Sequence, residues 1–522
     1  MRGVRMRGAV VSLALLASCV TGAGGCGITS GKDDGGGPLR VGTTDTVSTL
    51  DPAGAYDAGS WALYGNVYQS LMTFSPGSGA PVPDAARRCG FRGEDLRTYA
   101  CELREGLKFS NGHALTAKDV KFSFDRILRI KSEQGPKPLL DTLGSVEVDG
   151  DDRTVTFRLK APDATFPFKI ATGAGSIVDS TRYPADRLRE GNEADGSGPY
   201  VLASYRPGAT AELERNDTYT GAVKKVGGDV TVRYFTDPQR MSDAWQRRSV
   251  DVAARQMPPT DLARLSSPDS GVRVNENAAA NTRFLVFNLR EGSPLRTPAA
   301  RQAVAAVIDR QALARDVHLR TVEPLYSLVP QGLTGHATSF FDAYPAPDAG
   351  RARQLLQKAG VQLPVSFGLA YSQGAVTDQE AALLKKQLEA TGLFRVTTRK
   401  VAWQEFQEGY ARGAYDAYCV SWVADFPDPD TFTAPLVGGG NAFHSGYSSP
   451  RVEQLIRLTQ QNPQRNRVAG EIRDIQKIVA EDVPMVPLWQ KKDYVLSTSS
   501  VSGAQYLSDG TGIWRLWMLG RI

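Results

Sequence analysis

Side chains alternate across residues 415–422. Tyr415, Ala417, Cys419 and Ser421 fall on one side, and Asp416, Tyr418, Val420 and Trp422 on the other. That is the pattern of a short buried strand. The strand runs into Val423-Ala424-Asp425-Phe426-Pro427-Asp428-Pro429-Asp430, where prolines prevent it from continuing as sheet. Two aromatics, Trp422 and Phe426, therefore meet a carboxylate, Asp425, at a strand end. Such a group suits a ligand with apolar surface and positive charge. Asp428 and Asp430 are read as residues that shape the turns.

The same patterning organises the rest of the chain. Residues 39–43 read as a strand. Trp61, Tyr64, Val67, Tyr68 and Leu71 stand at helical spacing over 61–71, an aromatic stripe read as core. Strands are predicted at 98–103 and 106–109. Thr116-Ala117-Lys118-Asp119 has the form of a capping box opening a helix with Val120, Phe122, Phe124, Ile127 and Leu128. Strands follow at 145–148, 153–159, 211–215, 230–235 and 282–288, and Thr297-Pro298 opens a helix predicted over 299–318. From residue 351 helices and strands alternate: helix 351–359, strand 365–369, a helix opened by Thr377-x-x-Glu380, strand 394–400, helix 403–412 and strand 415–421. Alternation at this spacing predicts an open α/β sheet with ligands beyond the carboxyl ends of its strands. Helices 449–461 and 465–481 and a strand at 485–490 close this region. Trp514 and Trp517 make the C-terminal stretch too apolar for a free tail.

The N-terminus carries targeting chemistry. Arg2, Arg5 and Arg7 precede an apolar run at 9–17 that is too short to span a bilayer, and Leu16-Ala17-Ser18-Cys19 follows. Small residues before a cysteine resemble the bacterial lipobox, so residues 1–18 are read as a signal peptide and Cys19 as the lipidated residue. Cys26 is a poorer candidate, since no aliphatic lies three positions before it. The Gly-rich stretch 19–37 is read as a flexible tether. Export exposes the remaining thiols to oxidising conditions. Cys89 and Cys101 flank a polar turn and are expected to form a disulfide, a closure that stabilises by roughly 3 kcal/mol in the chain-entropy model. Cys419 is then left as a buried free thiol.

Composition excludes more than it selects. Of 522 residues, 41% are hydrophobic and 22% charged, which is ordinary for a globular protein of two or three domains. The net charge of +5 falls to +2 without the three leader arginines, and no basic run marks a nucleic-acid partner. None of the G-x-S-x-G, S-x-x-K, G-x-x-x-x-G-K-[ST] or H-E-x-x-H patterns is found. The four histidines, His113, His318, His336 and His444, are scattered without metal-ligand spacing. No catalytic residue, metal or cofactor is expected.

Four blocks in order resemble the family 5 extracellular solute-binding proteins of bacterial ABC importers, the oligopeptide/dipeptide/nickel class. They are LRVGTTDTVSTLDPAGAYDAGSWALYGNVYQSLMTF at 39–74, LREGLKFSNGHALTAKDVKFSFDRIL at 103–128, GSGPYVLASYRPGATAELERNDTY at 196–219, and FLVFNLREGSPLRTPAARQAVAAVIDRQAL at 284–313 with YDAYCVSWVADFPDPDTF at 415–432. The resemblance covers nearly the whole mature chain. It implies an α/β, two-lobed periplasmic-binding-protein type II-like fold. Lobe I would comprise 38–71, 191–280 and 488–522, with an inserted subdomain at 72–190; lobe II would comprise 281–487. It further implies a monomeric, non-catalytic lipoprotein on the extracytoplasmic face of the cell membrane. That protein closes on a solute, such as a short peptide, and delivers it to the transmembrane subunits of an ABC permease. By the same resemblance Asp425 pairs with a peptide α-ammonium, with Trp422 and Trp403 as aromatic walls; Phe426, next to Asp425 in the strand-end pattern, is counted with them as a ligand residue. Tyr410 and Cys419 align where oligopeptide binders keep arginines for the peptide carboxylate. A sugar, opine or metal chelate on the same fold therefore stays open. A surface-anchored hydrolase would need a nucleophile constellation that the chain does not display.

Overall fold

Two long strands, Val272–Phe287 and Met485–Thr498, pair antiparallel from Val272 opposite Thr498 to Val286 opposite Met485. Their sequences are apolar at the ends and polar in the middle. Phe284, Leu285, Val286 and Phe287 enter one apolar core with Met485, Val486 and Leu488. At the other end Val495 joins a second core, and Leu496 joins a small third cluster against which Val272 and Val274 pack. Between them Glu276 faces Tyr494 and Asn277 faces Asp493, and the register shifts between Ala278 and Thr282. A ladder satisfies the backbone while its polar centre stays outside the cores. The sequence pattern identified only the apolar ends, at 282–288 and 485–490, because the polar centre carries no alternating signal.

The computed structural model describes residues 37–150, 152–224, 226–265, 271–374, 376–508 and 510–522. The readings on the leader, on Cys19 and Cys26, and on the tether up to residue 36 lie outside them. Among the described residues, no helix is long and apolar enough to cross a membrane.

The long pair is central to an 11-stranded sheet among the described residues. On one side of it Ala417–Val423, Val365–Ser372 and Phe394–Val401 follow in spatial order, mutually parallel as the alternation of helix and strand requires. On the other side lie Val252–Ala254, Leu39–Thr43, Val230–Tyr234, Thr210–Arg215 and Tyr200–Arg206. A separate four-stranded antiparallel sheet, built from Ala86–Phe91, Thr98–Leu103, Thr154–Leu159 and Leu143–Val148, packs beneath the helix Ala117–Ile130, with Phe124 edge-on to Phe157. Cys89 and Cys101 are cross-strand partners in that sheet and form a disulfide. Asp119 accepts the Thr116 N–H at 2.9 Å, closing the turn that the capping pattern announces. Phe124 and Phe157 belong to the same core as Val41, Trp61 and Trp514.

Several expected elements have different limits. The aromatic helix occupies Ala58–Val67, because Asp57 caps it by accepting the Ser60 N–H at 2.7 Å. The 106–109 strand reduces to a single bridge between Lys108 and Ala114. The long helix expected over 299–318 breaks after Pro298–Ala305. It restarts at Arg310–Ala312, where Asp309 accepts the Ala312 N–H, and continues as a π-helical turn, Leu313–Val317. An aspartate able to cap is also able to divide a helix, and the apolar spacing does not register the interruption.

A buried ion pair fastens the four-stranded sheet's helix to the rest. Arg126 grips Asp51 through two hydrogen bonds of 2.9 and 2.7 Å, with both side chains essentially inaccessible to solvent. Asp51 also accepts the N–H groups of Ala53 and Arg189. Removing one partner leaves the other charge buried without compensation. Asp51→Ala is therefore expected to lower stability by about 3–5 kcal/mol in urea unfolding; a loss below about 1 kcal/mol, the scale of an exposed pair, would contradict this role.

Candidate functional site

The strand Ala417–Val423 delivers its last residues to the edge of the core that holds Phe284 and Met485. There Ala424 donates its N–H to the Ala280 carbonyl at 2.8 Å and Asp425 donates its own to the Thr431 hydroxyl at 3.1 Å. The Trp422 indole N–H donates to the Thr431 carbonyl at 2.7 Å, and its ring stands perpendicular to Phe443. Both contacts fix the plane of the indole.

Asp425 lines a cavity of about 230 Å³ with Tyr56, Asp57, Trp61 and Trp422. Its Oδ2 accepts the Tyr56 hydroxyl at 2.8 Å, and Tyr56 stacks on Trp61. Burial pushes the Asp425 carboxyl up to about 6, although the Tyr56 hydrogen bond, the Lys169 charge and Thr431 oppose the rise. The same neighbourhood raises Tyr56, through burial first and then the adjacent Asp425 charge.

A second cavity, of about 310 Å³, opens at the polar centre of the long strands. Glu380 forms part of its wall. It accepts Arg283 Nε at 2.8 Å and the Trp489 indole at 2.6 Å, and its Oε2 lies 3.3 Å from His318 Nε2. Burial alone would raise this carboxyl, but the Arg283 charge and the His318 and Trp489 contacts outweigh it and hold Glu380 at about 2. Thr377-x-x-Glu380 is thus not a capping box. Val376 stands at the helix start without a side-chain cap, and Glu380 faces the cavity instead. The missed signal was Arg283, a charge inside the apolar run TRFLVFN, which calls for a buried counter-charge.

The four expected ligand residues separate. Asp425 and Trp422 share the smaller cavity, while Trp403, 54% exposed, lines the larger one. Phe426 lines neither: it is 3% exposed and packs on Phe168 in the core that holds Val495 and Trp61, because its position after Asp425 turns it away from the strand end. Cys419 is a free, buried thiol that burial raises to about 12. Tyr410 stacks on Tyr418. Neither supplies a base to the cavities.

A family model for bacterial extracellular solute-binding proteins, family 5 (middle region), matches residues 80–444. The chain belongs to this family. Its relatives include di/tripeptide-binding protein 2 of Pseudomonas aeruginosa (strain UCBPP-PA14), 27% identical, the match spanning 89% of this chain and 92% of that protein. The probable D,D-dipeptide-binding periplasmic protein DdpA of Escherichia coli (strain K12) is 24% identical, spanning 89% and 90%. Among solved structures, the periplasmic binding protein DppA of Helicobacter pylori in complex with the peptide STSA superposes with a TM-score of 0.77. It is 19% identical and covers 92% of this chain and 98% of its own. The fold is accordingly the mixed α/β, two-lobed type II-like architecture of these binding proteins.

In this family 5 solute-binding protein the acids after Asp425 do more than shape turns. Asp428 and Asp430 are buried. Arg465 binds Asp428 through 2.7 and 2.9 Å hydrogen bonds, and its Nη2 lies 3.2 Å from Asp430, which also accepts the Thr459 hydroxyl at 2.8 Å. Across from them Lys169 pairs with Asp163 at 2.8 Å, and Ala164 donates its N–H to the Gln460 carbonyl. One guanidinium shared by two carboxylates serves the second one poorly. Burial and the Asp428 charge push Asp430 up to about 7. A carboxyl raised in the fold keeps its proton there at pH values where the unfolded chain has released it. Its contribution to stability is therefore full below the unfolded value of about 4 and declines as pH rises to about 7. Asp430→Asn is expected to match the wild type near pH 4.5 and to exceed it by about 1–3 kcal/mol at pH 8 in denaturant unfolding. A variant weaker at pH 8 would show that the ionised Asp430 holds this segment.

Proposed function

We propose that this protein captures a short peptide by its α-ammonium at Asp425, between lobes that close over it, and delivers it to the transmembrane subunits of an ABC permease. One observation carries the reading. Asp425 is a partly buried carboxyl raised to about 6, lining an aromatic cavity, and its direct side-chain partner is a neutral tyrosine hydroxyl. A desolvated carboxylate without a cation is costly, and a ligand ammonium removes that cost. Tyr56, Trp61 and Trp422 supply flat apolar walls on which the first residue of a peptide can rest. The names of the relatives, di/tripeptide- and D,D-dipeptide-binding proteins, support a peptide as the solute.

Lobe I is assigned to 38–71, 191–280 and 488–522 and carries 72–190, while lobe II spans 281–487. Cleavage before Cys19 and lipidation of its thiol would hold the protein at the extracytoplasmic face of the membrane, as a monomer on a Gly-rich tether. The leader pattern and family membership support that arrangement.

Protonation of Asp425 removes the charge that the ammonium needs, so peptide affinity is full above its raised value and declines below it. Calorimetry with short peptides is expected to show affinity falling about tenfold from pH 7 to pH 5, a range in which the peptide ammonium itself stays charged. Asp425→Ala should lose at least about thirtyfold in affinity at pH 7 and show little of this pH dependence. Unchanged peptide affinity in Asp425→Ala would sink the ammonium-anchor role.

A further inference from the structure

The larger cavity holds cationic donors that the fold does not satisfy. Arg283 is 5% exposed and commits its Nε to Glu380, yet its Nη2 is buried without a hydrogen-bond partner among the described residues. Glu380 takes Arg283 Nε on one oxygen and faces Trp489 and His318 with the other, and Nη2 is within hydrogen-bond reach of neither. Lys491, on the facing long strand, donates to the Arg255 carbonyl at 3.3 Å and has no carboxylate within ion-pair distance among the described residues. Burial lowers its pKa, helped by the Arg255 charge and opposed by Asp493 and Asp45. The neighbouring Lys492 is already bound by Glu276 and Glu323, at 2.9 and 2.8 Å, and Arg255 is paired with Asp45 at 2.8 Å. Asn281, two residues before Arg283, adds a buried side-chain carbonyl without a donor among the described residues. Arg283, Lys491 and Asn281 all line the one cavity.

Buried donors of this kind are expensive unless an acceptor reaches them. An anion that touches both a guanidinium N–H and an ammonium gains charge-assisted hydrogen bonds, and an amide N–H of the same ligand satisfies Asn281. We propose that Arg283 and Lys491 form the subsite for the carboxylate end of the ligand, with Asn281 binding an amide N–H next to it. The inference rests on the reading of Asp425 as the ammonium anchor and makes the preferred solute a zwitterion of limited length. Ser421, cross-strand from Arg283, precedes Asp425 by four residues, at most about 13 Å of extended chain. Peptides of up to about four extended residues fit within that span.

The test uses the mature protein and a pooled tripeptide library, offered as free acids and as the corresponding C-terminal amides, with retained ligand read by native mass spectrometry. The wild type is expected to prefer acids over amides by at least about tenfold, and Lys491→Met to bind both alike. Because the acid-to-amide comparison is made on the unaltered protein, it holds whether or not a variant folds. If the wild type retains acids and amides equally while Asp425→Ala loses both, the carboxylate subsite is overturned and the ammonium anchor stands. If Lys491→Met keeps the full acid preference, Lys491 has no place in the subsite and the proposal fails. If no peptide is retained at all, both readings fall.

Discussion

The hydrogen-bonded ladder between Val272–Phe287 and Met485–Thr498 is the constraint on which the rest of this structure depends. Each strand must end in a different apolar core, so neither can slip register without moving a row of large side chains into water. That requirement fixes where the polar middle falls. Once fixed, the middle must meet its own electrostatic needs: Lys492 against Glu276 and Glu323, and Arg283 against Glu380. The donors and acceptors left over are those that line the cavities.

Asp425 stands at the end of the strand that pairs with the same ladder, and Tyr56 reaches it from the loop before the helix Ala58–Val67. A phenol hydroxyl occupies a carboxylate oxygen that an ammonium would bind more strongly. The contact thus satisfies the acid in the ligand-free protein at little electrostatic gain. Under the proposed ammonium anchor, the larger stabilisation would fall to the bound state and couple closure to the ligand.

Much of this was legible in the chain. The helix–strand alternation from residue 351, the capping of Ala117–Ile130 and the strand ending near Asp425 all follow from local periodicity and cap chemistry, which act over a few residues. What was not legible depended on distant partners. Glu380 has the spacing of a capping residue, and only Arg283, 97 positions away, turns it into a cavity wall. Asp428 and Asp430 look like turn residues until Arg465 closes on them. Phe426 carries the same aromatic label as Trp422, but the turn after Asp425 sends it to Phe168. The division of the predicted 299–318 helix was signalled by Asp309, whose capping ability competes with an uninterrupted apolar stripe.

The polar centre of the long strands belongs to neither large core. Asn277, Asn281 and Lys491 are not among the apolar residues that make up the two large cores. On the proposed carboxylate subsite, substitutions there would alter what the cleft recognises at small cost in stability, whereas changes a few positions along the same strands, at Phe284 or Val495, strike a core directly. On that assignment solute preference and foldability occupy separate stretches of the same two strands, and one cargo could be exchanged for another without first rebuilding the scaffold.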